Sequence, residues 1–484
     1  MTPTHYRQEW LGNIRQDILA GMVSTFALIP EVIAFSFVAG VAPEVGLYAT
    51  FIISIVIAFT GGRAGMVSGA AGSVALVAAA LVRGHGIDYL FAATILAGLF
   101  QVLIGLLRLH VLMQYVSRPV RTGFVNALAI LIFSAQLPHL LGANWQTYLI
   151  TALGLAIIYL APFMTTLIPS PLIAIIALTA LYWVYPMPLH TVADLGALPT
   201  GFPGLVWPHI PLTFESLEII VPYAAAMALV GALESLMTAT VVDDLTETHS
   251  NKRRECTGLG IANMAVGFFG GIAGCGMIGQ TVGNLRYGGV GRLSTFMAGA
   301  FLLLLMDVLR PFVAQVPVAV LVAIMIMVSI STFSWSSLRE ITFHPKTSTL
   351  CMLATVIVVV ATKDLAIGVI VGVMLNGIFF AWQLSRLLEV SSTLSEDATT
   401  RIYTVKGQIF FASSTLFENS FKIRDNVKNV KIDLSDAHFW DVTATGALDT
   451  IVTKMKNNHL AVTITGLKKD NAAFVSKQST LKEL

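Results

Sequence analysis

The chain has 484 residues, of which 56% are hydrophobic and only 12% are Asp, Glu, Lys or Arg, about half of the ~25% charged share of soluble domains. This composition excludes a disordered chain and a disulfide-rich secreted scaffold. A net charge of +2 also argues against a nucleic-acid partner. The composition therefore predicts an α-helical polytopic membrane protein.

Apolar segments predict fourteen membrane-spanning helices, because about 20 apolar residues are needed to cross ~30 Å of hydrocarbon. After a cytoplasmic N-terminal segment, residues 1–16, they lie in a transmembrane domain over residues 17–390. The predicted spans are 17–40, 44–60, 68–83, 88–108, 119–137, 146–162, 169–185, 219–242, 257–273, 278–288, 292–313, 316–333, 348–362 and 364–388.

Positive charge predicts the orientation of these spans. With the N-terminus in the cytoplasm, 14 of the 17 Lys and Arg residues before position 396 lie inside, and only Arg83, Arg310 and Lys363 lie outside. This asymmetry agrees with the positive-inside rule. An even number of spans then places the C-terminus in the cytoplasm too, and we expect the plasma (inner) membrane as the location.

Short, glycine-rich segments occupy the third place in each half of seven spans. Such pairs indicate a central transporter site, because half-helices that begin inside a membrane direct unsatisfied N–H groups at one point. The alternative is that the glycines only allow close helix packing. The predicted substrate-binding residues are Ser68, Gly69, Ala70, Ala71, Gly72 and Ser73 in the first segment and Gly276, Met277, Ile278, Gly279, Gln280 and Thr281 in the second.

Two acids lie in the middle of predicted spans, Glu31 in the first and Glu234 in the eighth. Carboxyl groups are expensive inside a membrane and are functional candidates. Thr238 follows Glu234 by one helical turn and shares its face. We expect these three residues to couple transport to H⁺ or Na⁺; the alternative is that the acids brace one helix against another.

No cofactor, metal site or catalytic motif is predicted. The three cysteines share no close spacing, and the ten histidines are scattered. A G-x-x-x-x-G-K-[ST] motif does not occur, so ATP-driven pumping is not supported. We expect a protein that is not an enzyme.

Residues 27–40 (ALIPEVIAFSFVAG) with 45–51 (VGLYATF) resemble the span 1–2 signature of the sulfate permease (SulP) anion transporters, and residues 283–289 with 292–294 resemble the span 10–11 segment. The resemblance implies a 7+7 inverted repeat of the uracil-permease type. It implies a core of spans 1–4 and 8–11 that moves against a gate of spans 5–7 and 12–14. It also implies transport of sulfate, bicarbonate, chloride or dicarboxylates, and a homodimer.

The last part of the chain has a soluble composition. Residues 391–400 read as a polar linker, and residues 401–484 alternate strand and helix patterns, which predicts a small cytoplasmic α/β domain. Residues 431–448 resemble the STAS domain (sulfate transporter and anti-sigma factor antagonist).

The sequence thus favours a secondary active transporter of a small inorganic or organic anion, embedded in membrane lipid and coupled to H⁺ or Na⁺. Two alternatives remain open. One is uptake of a neutral nucleobase-type ligand on the same fold, and the other is a membrane sensor or structural protein. Backbone dipoles recognise charge and size, so the residues do not identify the anion.

Overall fold

The structure is a computed structural model that describes residues 3–164, 169–211, 213–343, 345–423, 426–467, 475 and 478. The chain forms two compact units, residues 1–373 and 374–484. The first contains the predicted transport domain except the end of its last helix, and the second contains that end and the C-terminal domain.

Apolar helices build the first unit. Helix α17 (Leu365–Ser385) crosses the unit boundary, and a 3₁₀ helix spans Leu109–Tyr115. The preceding α-helices are α1 (Pro3–Leu11), α2 (Ile14–Ala39), α3 (Pro43–Thr60), α4 (Gly72–His85), α5 (Ile87–Leu106), α6 (Arg118–Leu140), α7 (Trp145–Met164), α8 (Ser170–Val184), α9 (Val192–Leu195), α10 (Phe214–Thr246), α11 (Lys252–Phe268), α12 (Ile278–Arg286), α13 (Arg292–Val313), α14 (Val318–Thr332), α15 (Trp335–Glu340) and α16 (Lys346–Thr362).

Each predicted span overlaps one of these helices. Within the part of the chain that the structure describes, nine helices are long and apolar enough to cross a membrane, and α4, α8 and α16 are shorter apolar helices. Helices α11 and α12 belong to neither group. The chain is therefore an integral membrane protein, and helix length and composition do not by themselves account for all fourteen predicted crossings.

Two predicted span boundaries are wrong. The third span was expected to begin at residue 68, but residues 68–70 form strand β1 (Ser68–Ala70) and the helix begins at Gly72. The ninth was expected to reach residue 273, but α11 ends at Phe268 and the chain enters strand β2 (Gly274–Gly276). Gly270 takes a positive φ of +70° in between, a conformation that glycine adopts without strain.

Strands β1 and β2 pair in antiparallel register, Ser68 opposite Gly276 and Ala70 opposite Gly274. The two strands approach so closely that one position, Gly274, has no room for a side chain. A Cβ on Gly274 would lie only 2.0 Å from the carbonyl oxygen of Gly69. The packing role that the sequence left open for these glycines therefore applies to Gly274.

The second unit contains a four-stranded sheet in the order β3-β4-β5-β6. Strands β3 and β4 are antiparallel, and the other neighbouring pairs are parallel. Its elements are β3 (Glu389–Leu394), β4 (Thr400–Ile409), α18 (Ser414–Asn419), β5 (Asn429–Phe439), α19 (Val442–Asn457) and β6 (Ala461–Thr465). Buried side chains such as Val405, Leu434 and Leu448 give the domain a hydrophobic core of its own.

The prediction of a linker over residues 391–400 is wrong for the first four of them. Residues 391–394 belong to β3, whose six residues pair with residues 401–406 of β4. The segment is polar because nearly all of β3 is exposed, and an edge strand with polar side chains has the same composition as a linker.

Candidate functional site

Two helix N-termini meet where β1 and β2 pair. Helix α4 begins two residues after β1, and α12 begins two residues after β2. Helix α3 anchors β1, because the Thr50 hydroxyl accepts a hydrogen bond from the Ala70 N–H at 3.0 Å and the Ser54 hydroxyl donates to the Ser68 carbonyl at 2.7 Å. The two segments singled out in the sequence therefore lie together.

Both helix ends present backbone donors. Among the residues that the structure describes, neither α4 nor α12 has a side-chain N-cap; the N-cap positions are Ala71 and Met277. The first N–H groups of a helix have no partner within the helix. Each end also carries the positive end of a helix dipole. Together they form a place that favours negative charge.

A cavity of about 160 Å³ adjoins these helix ends. This volume suits a small solute, since pockets for drug-sized ligands measure about 300–1,000 Å³. We call it the substrate cavity. Its lining comprises Glu31, Phe35, Ala71, Gly72, Ser73, Phe124, Val125, Leu128, Ile132, Glu234, Met237, Met277, Ile278, Gly279, Gln280, Met327, Val328, Ser331 and Thr332.

Both candidate acids line the cavity, and each is paired with a helix end. The Ser73 hydroxyl, in the first turn of α4, donates to the Glu234 carboxylate. The Gln280 side-chain amide, in the first turn of α12, donates to the Glu31 carboxylate. Each carboxyl is therefore held beside one of the two uncapped helix ends.

The electrostatics of the cavity rest on backbone dipoles and two carboxyl groups. Its described lining contains no Lys or Arg. Within the described residues there is also no cluster of three or more His, Cys, Asp or Glu side chains with metal-binding geometry. A bound anion would be stabilised by N–H groups and helix ends, and its affinity would depend on the charge of the two carboxyls.

Besides the two acids, seven of the predicted site residues line the cavity, and the other six lie outside its lining. Ala71, Gly72, Ser73, Met277, Ile278, Gly279 and Gln280 line it. The ones outside the lining are Ser68, Gly69, Ala70, Gly276, Thr281 and Thr238, all of which are buried.

Two of the residues outside the lining form hydrogen bonds with the backbone around β1 and β2. The Thr281 hydroxyl accepts from the Val67 N–H at 3.0 Å. The Thr238 hydroxyl donates to the Gly276 carbonyl at 2.8 Å and to the Glu234 carbonyl at 2.9 Å. The Thr238 hydroxyl therefore bonds α10 to β2 and does not line the cavity, and a part for Thr238 in coupling stays a prediction.

The individual residues of one wall of the cavity were not predicted. Helices α6 and α14 supply it, with Phe124 and Ile132 from the first and Met327 and Ser331 from the second among its side chains. These residues are apolar or small and occur at helical spacing. The same pattern is typical of lipid-facing and packed helices, so the sequence contains no signal that separates them.

Comparison with known proteins agrees with this architecture. The sulfate permease family profile matches residues 14–153 and 143–355, and the STAS domain profile matches residues 392–479. The chain is 50% identical over 473 residues to the protein named "Putative sulfate transporter YbaR" of Bacillus subtilis (strain 168), covering 98% of both chains. It is 26% identical to the bicarbonate transporter BicA of Picosynechococcus sp. (strain ATCC 27264 / PCC 7002 / PR-6), covering 94% of this chain and 89% of the relative.

Two solved structures show the same fold. SLC26A9 superposes with a TM-score of 0.81 at 16% identity, covering 98% of this chain and 87% of that chain. The transmembrane domain of a cyanobacterial BicA superposes with a TM-score of 0.67 at 24% identity, covering 75% of this chain and 97% of that chain. The chain therefore belongs to the sulfate permease family and carries a STAS domain at its C-terminal end.

Proposed function

We propose that the protein is a secondary active transporter of a small anion of the sulfate, bicarbonate or dicarboxylate class, and not an enzyme. The observation that carries this proposal is the meeting of two uncapped helix N-termini at a small cavity with no basic lining residue. The names of its relatives support an anion: YbaR is named for sulfate and BicA for bicarbonate.

Anion affinity in this site comes from the backbone. Each helix end contributes about 0.3–1 kcal/mol at exposed sites and up to ~2 kcal/mol when partly buried. Two ends with several N–H hydrogen bonds give weak binding, in the micromolar to millimolar range of roughly −4 to −8 kcal/mol. Weak binding suits a carrier, because the anion has to leave on the other side.

The two carboxyl groups provide the coupling. An ionised carboxylate 4 Å from an anion is repelled by about 4 kcal/mol at an effective dielectric constant near 20. Protonation of Glu234 removes this repulsion, so the anion and a proton bind together. Glu31, beside the other helix end, contributes in the same way. Na⁺ bound to a carboxylate would have the same electrostatic effect and is the alternative co-ion.

The composition of the cavity walls supports an elevator-like movement. One wall comes from α2, α4, α10 and α12, which correspond to predicted spans 1, 3, 8 and 10. The other comes from α6 and α14, which correspond to spans 5 and 12. The division follows the core and gate that the family resemblance implies. A core that slides along the gate would carry both helix ends, both carboxyls and the bound anion as one body.

We further propose that the protein acts as a homodimer in the plasma (inner) membrane with both termini in the cytoplasm. The positive-inside distribution of Lys and Arg supports the orientation. Labelling of single cysteines near each terminus in intact cells and in inverted vesicles tests it.

Flux into proteoliposomes tests the transport proposal. Sulfate, bicarbonate, chloride, fumarate and uracil are supplied in turn, with an imposed pH gradient or Na⁺ gradient. We expect saturable uptake of at least one anion that the pH gradient increases. Uptake of uracil alone would favour the nucleobase alternative, and absence of any flux would favour a sensor or structural protein.

A further inference from the structure

A second cavity, of about 380 Å³, lies along the same two helices, α6 and α14, that supply one wall of the substrate cavity. Helix α14 contributes Val318 and Val322 to it, and α6 contributes His139. Asn144, which follows α6, lines it as well. The two cavities therefore share one side and lie at different levels of the same helices.

Only a thin layer separates the cavities. Along α14 the lining passes from Val322 to Met327, and along α6 it passes from Ile132 to Pro138. At about 1.5 Å per helical residue these separations are about 8 Å and about 9 Å. The layer is therefore shorter than two helical turns.

An aromatic pair joins α2 to α6 beside this layer. The ring of Phe37 packs on the imidazole of His139, with centroids 4.1 Å apart and planes inclined by 40°. Phe37 follows Phe35, which lines the substrate cavity, by two positions, and His139 lines the second cavity. The contact thus joins a helix of the proposed core to a helix of the proposed gate.

A buried polar side chain lies at the same level of α6. Gln136 is fully buried, and its side-chain amide donates to the Ile132 carbonyl at 3.3 Å. Its Oε1 has no hydrogen-bond partner among the described residues. Buried polar atoms are rarely left unpaired. An unpaired amide oxygen at this level of α6 fits a place that water or a polar solute contacts.

We propose that Phe37 and His139 form the outer gate of the transport path, a contact between core and gate that must break before the substrate cavity can open to the second cavity, which is its outer vestibule. This inference rests on the proposed transport function. In the structure the pair is in contact, so the path is closed at the vestibule.

Thiol accessibility tests the gate without measuring transport. The reporter is Gly279→Cys, because Gly279 lines the substrate cavity and a Cβ there meets no atom within 4 Å. Asn144→Cys in the vestibule identifies the side from which a membrane-impermeant thiol reagent acts. The native cysteines are buried, and the parent protein serves as the blank.

Phe37→Ala and His139→Ala should each raise the labelling rate of the reporter from the Asn144 side by about tenfold, the order expected for losing one aromatic contact. Phe26→Ala is the matched control, because Phe26 lies on α2 but packs on Phe301 of α13. It should leave the rate unchanged.

Two replacements are available if a variant is unstable. Phe37→Leu then replaces Phe37→Ala, and Ser331→Cys replaces Gly279→Cys as the reporter. An unchanged rate in both gate variants, or an equal rise in the Phe26 control, would overturn the gate. Flux by the parent protein is measured separately. A labelling change in a protein without flux would reject the transport function and leave the Phe37–His139 contact only as a barrier between the two cavities.

Discussion

The Ser73 hydroxyl donates a hydrogen bond to the Glu234 carboxylate across 161 positions of sequence. Ser73 stands in the first turn of α4, and Glu234 stands in the middle of α10. The bond places an ionisable group beside a helix end that favours negative charge. The proposed anion site and the proposed coupling group are therefore adjacent, so each would affect the other electrostatically.

Glu234→Gln should abolish accumulation driven by a pH gradient while exchange of substrate across the membrane persists. Glutamine keeps the size and hydrogen-bonding capacity of the side chain but cannot ionise. Proteoliposome uptake with and without the gradient measures both activities. Glu218→Gln, an exposed acid on the same helix, is the control and should behave like the parent. Accumulation that persists in Glu234→Gln would reject the coupling role.

Gly279→Leu should weaken anion binding by about tenfold or more, since a tenfold change corresponds to ~1.4 kcal/mol, without lowering thermal stability. A Cβ at Gly279 meets open space, so the side chain fills the cavity instead of displacing the protein. Isothermal titration and a thermal melt separate the two effects. Unchanged affinity in a folded variant would show that the anion binds elsewhere.

Gly274→Ala should lower stability, in contrast to Gly279→Leu, because close packing leaves no room for a side chain at position 274. Its methyl group would lie 2.0 Å from the Gly69 carbonyl oxygen, and overpacking of this kind costs about 1–3 kcal/mol or more. We expect a clear loss of thermal stability. Gly276 is less suitable than Gly279 for the binding test, because a Cβ at Gly276 would lie 2.8 Å from Met66 Cε.

Thr238→Val should destabilise the protein by about 1–3 kcal/mol, because the change leaves the buried Gly276 carbonyl without its donor. Thr362→Val on α16 is the control. Its hydroxyl also donates to a carbonyl one turn earlier but is exposed, and surface changes stay within about 0.5 kcal/mol. Thermal unfolding in the same detergent compares them. Equal stability of the two variants would contradict the bracing role of Thr238.

A chain that ends at Arg386 should still bind substrate. All residues that line the substrate cavity lie in the first unit, and the STAS domain has a separate core. Ending the chain at Ser395 instead would retain β3 without its partner β4 and expose an unpaired strand. Loss of binding by a folded protein ending at Arg386 would show that the domain contributes to the site.

Asp397→Asn should weaken the turn between β3 and β4 at neutral pH. Hydrogen bonds from the Ser395 and Thr399 hydroxyls lower the pKa of Asp397 to about 2. A pKa below the unfolded value of about 3.9 means that the ionised side chain stabilises the fold above that pH, and that this stabilisation disappears as the pH falls through about 2. Thermal unfolding of the domain across this range should show variant and parent converging in acid. A constant difference would exclude the carboxylate as its cause.

Much of the site was predictable from residue type. Glu234 and Glu31 stood out because ionisable groups are rare in apolar spans. Residues 72–73 and 277–280 stood out because two glycine-rich segments occupy equivalent places in the two halves. Each signal depends on one residue or one short segment, so it is readable without knowing the fold.

The individual residues of the opposite wall were not predictable, for a physical reason. Phe124 on α6 and Met327 on α14 line the cavity, but an apolar side chain has the same sequence pattern whether it meets lipid, another helix or a cavity. Strand β1 was also missed. It has three residues, and a strand that short has no periodicity to detect.

The sequence by itself determined the apolar helices, the separate C-terminal domain and the residues whose chemistry is costly in lipid, because hydrophobic length and buried charge act locally along the chain. Only the tertiary structure decided that Ser68 pairs with Gly276, that the Thr238 hydroxyl is bonded to the backbone, and that Phe37 meets His139. These contacts join segments far apart in sequence, and their geometry depends on how whole helices pack, which no single segment specifies.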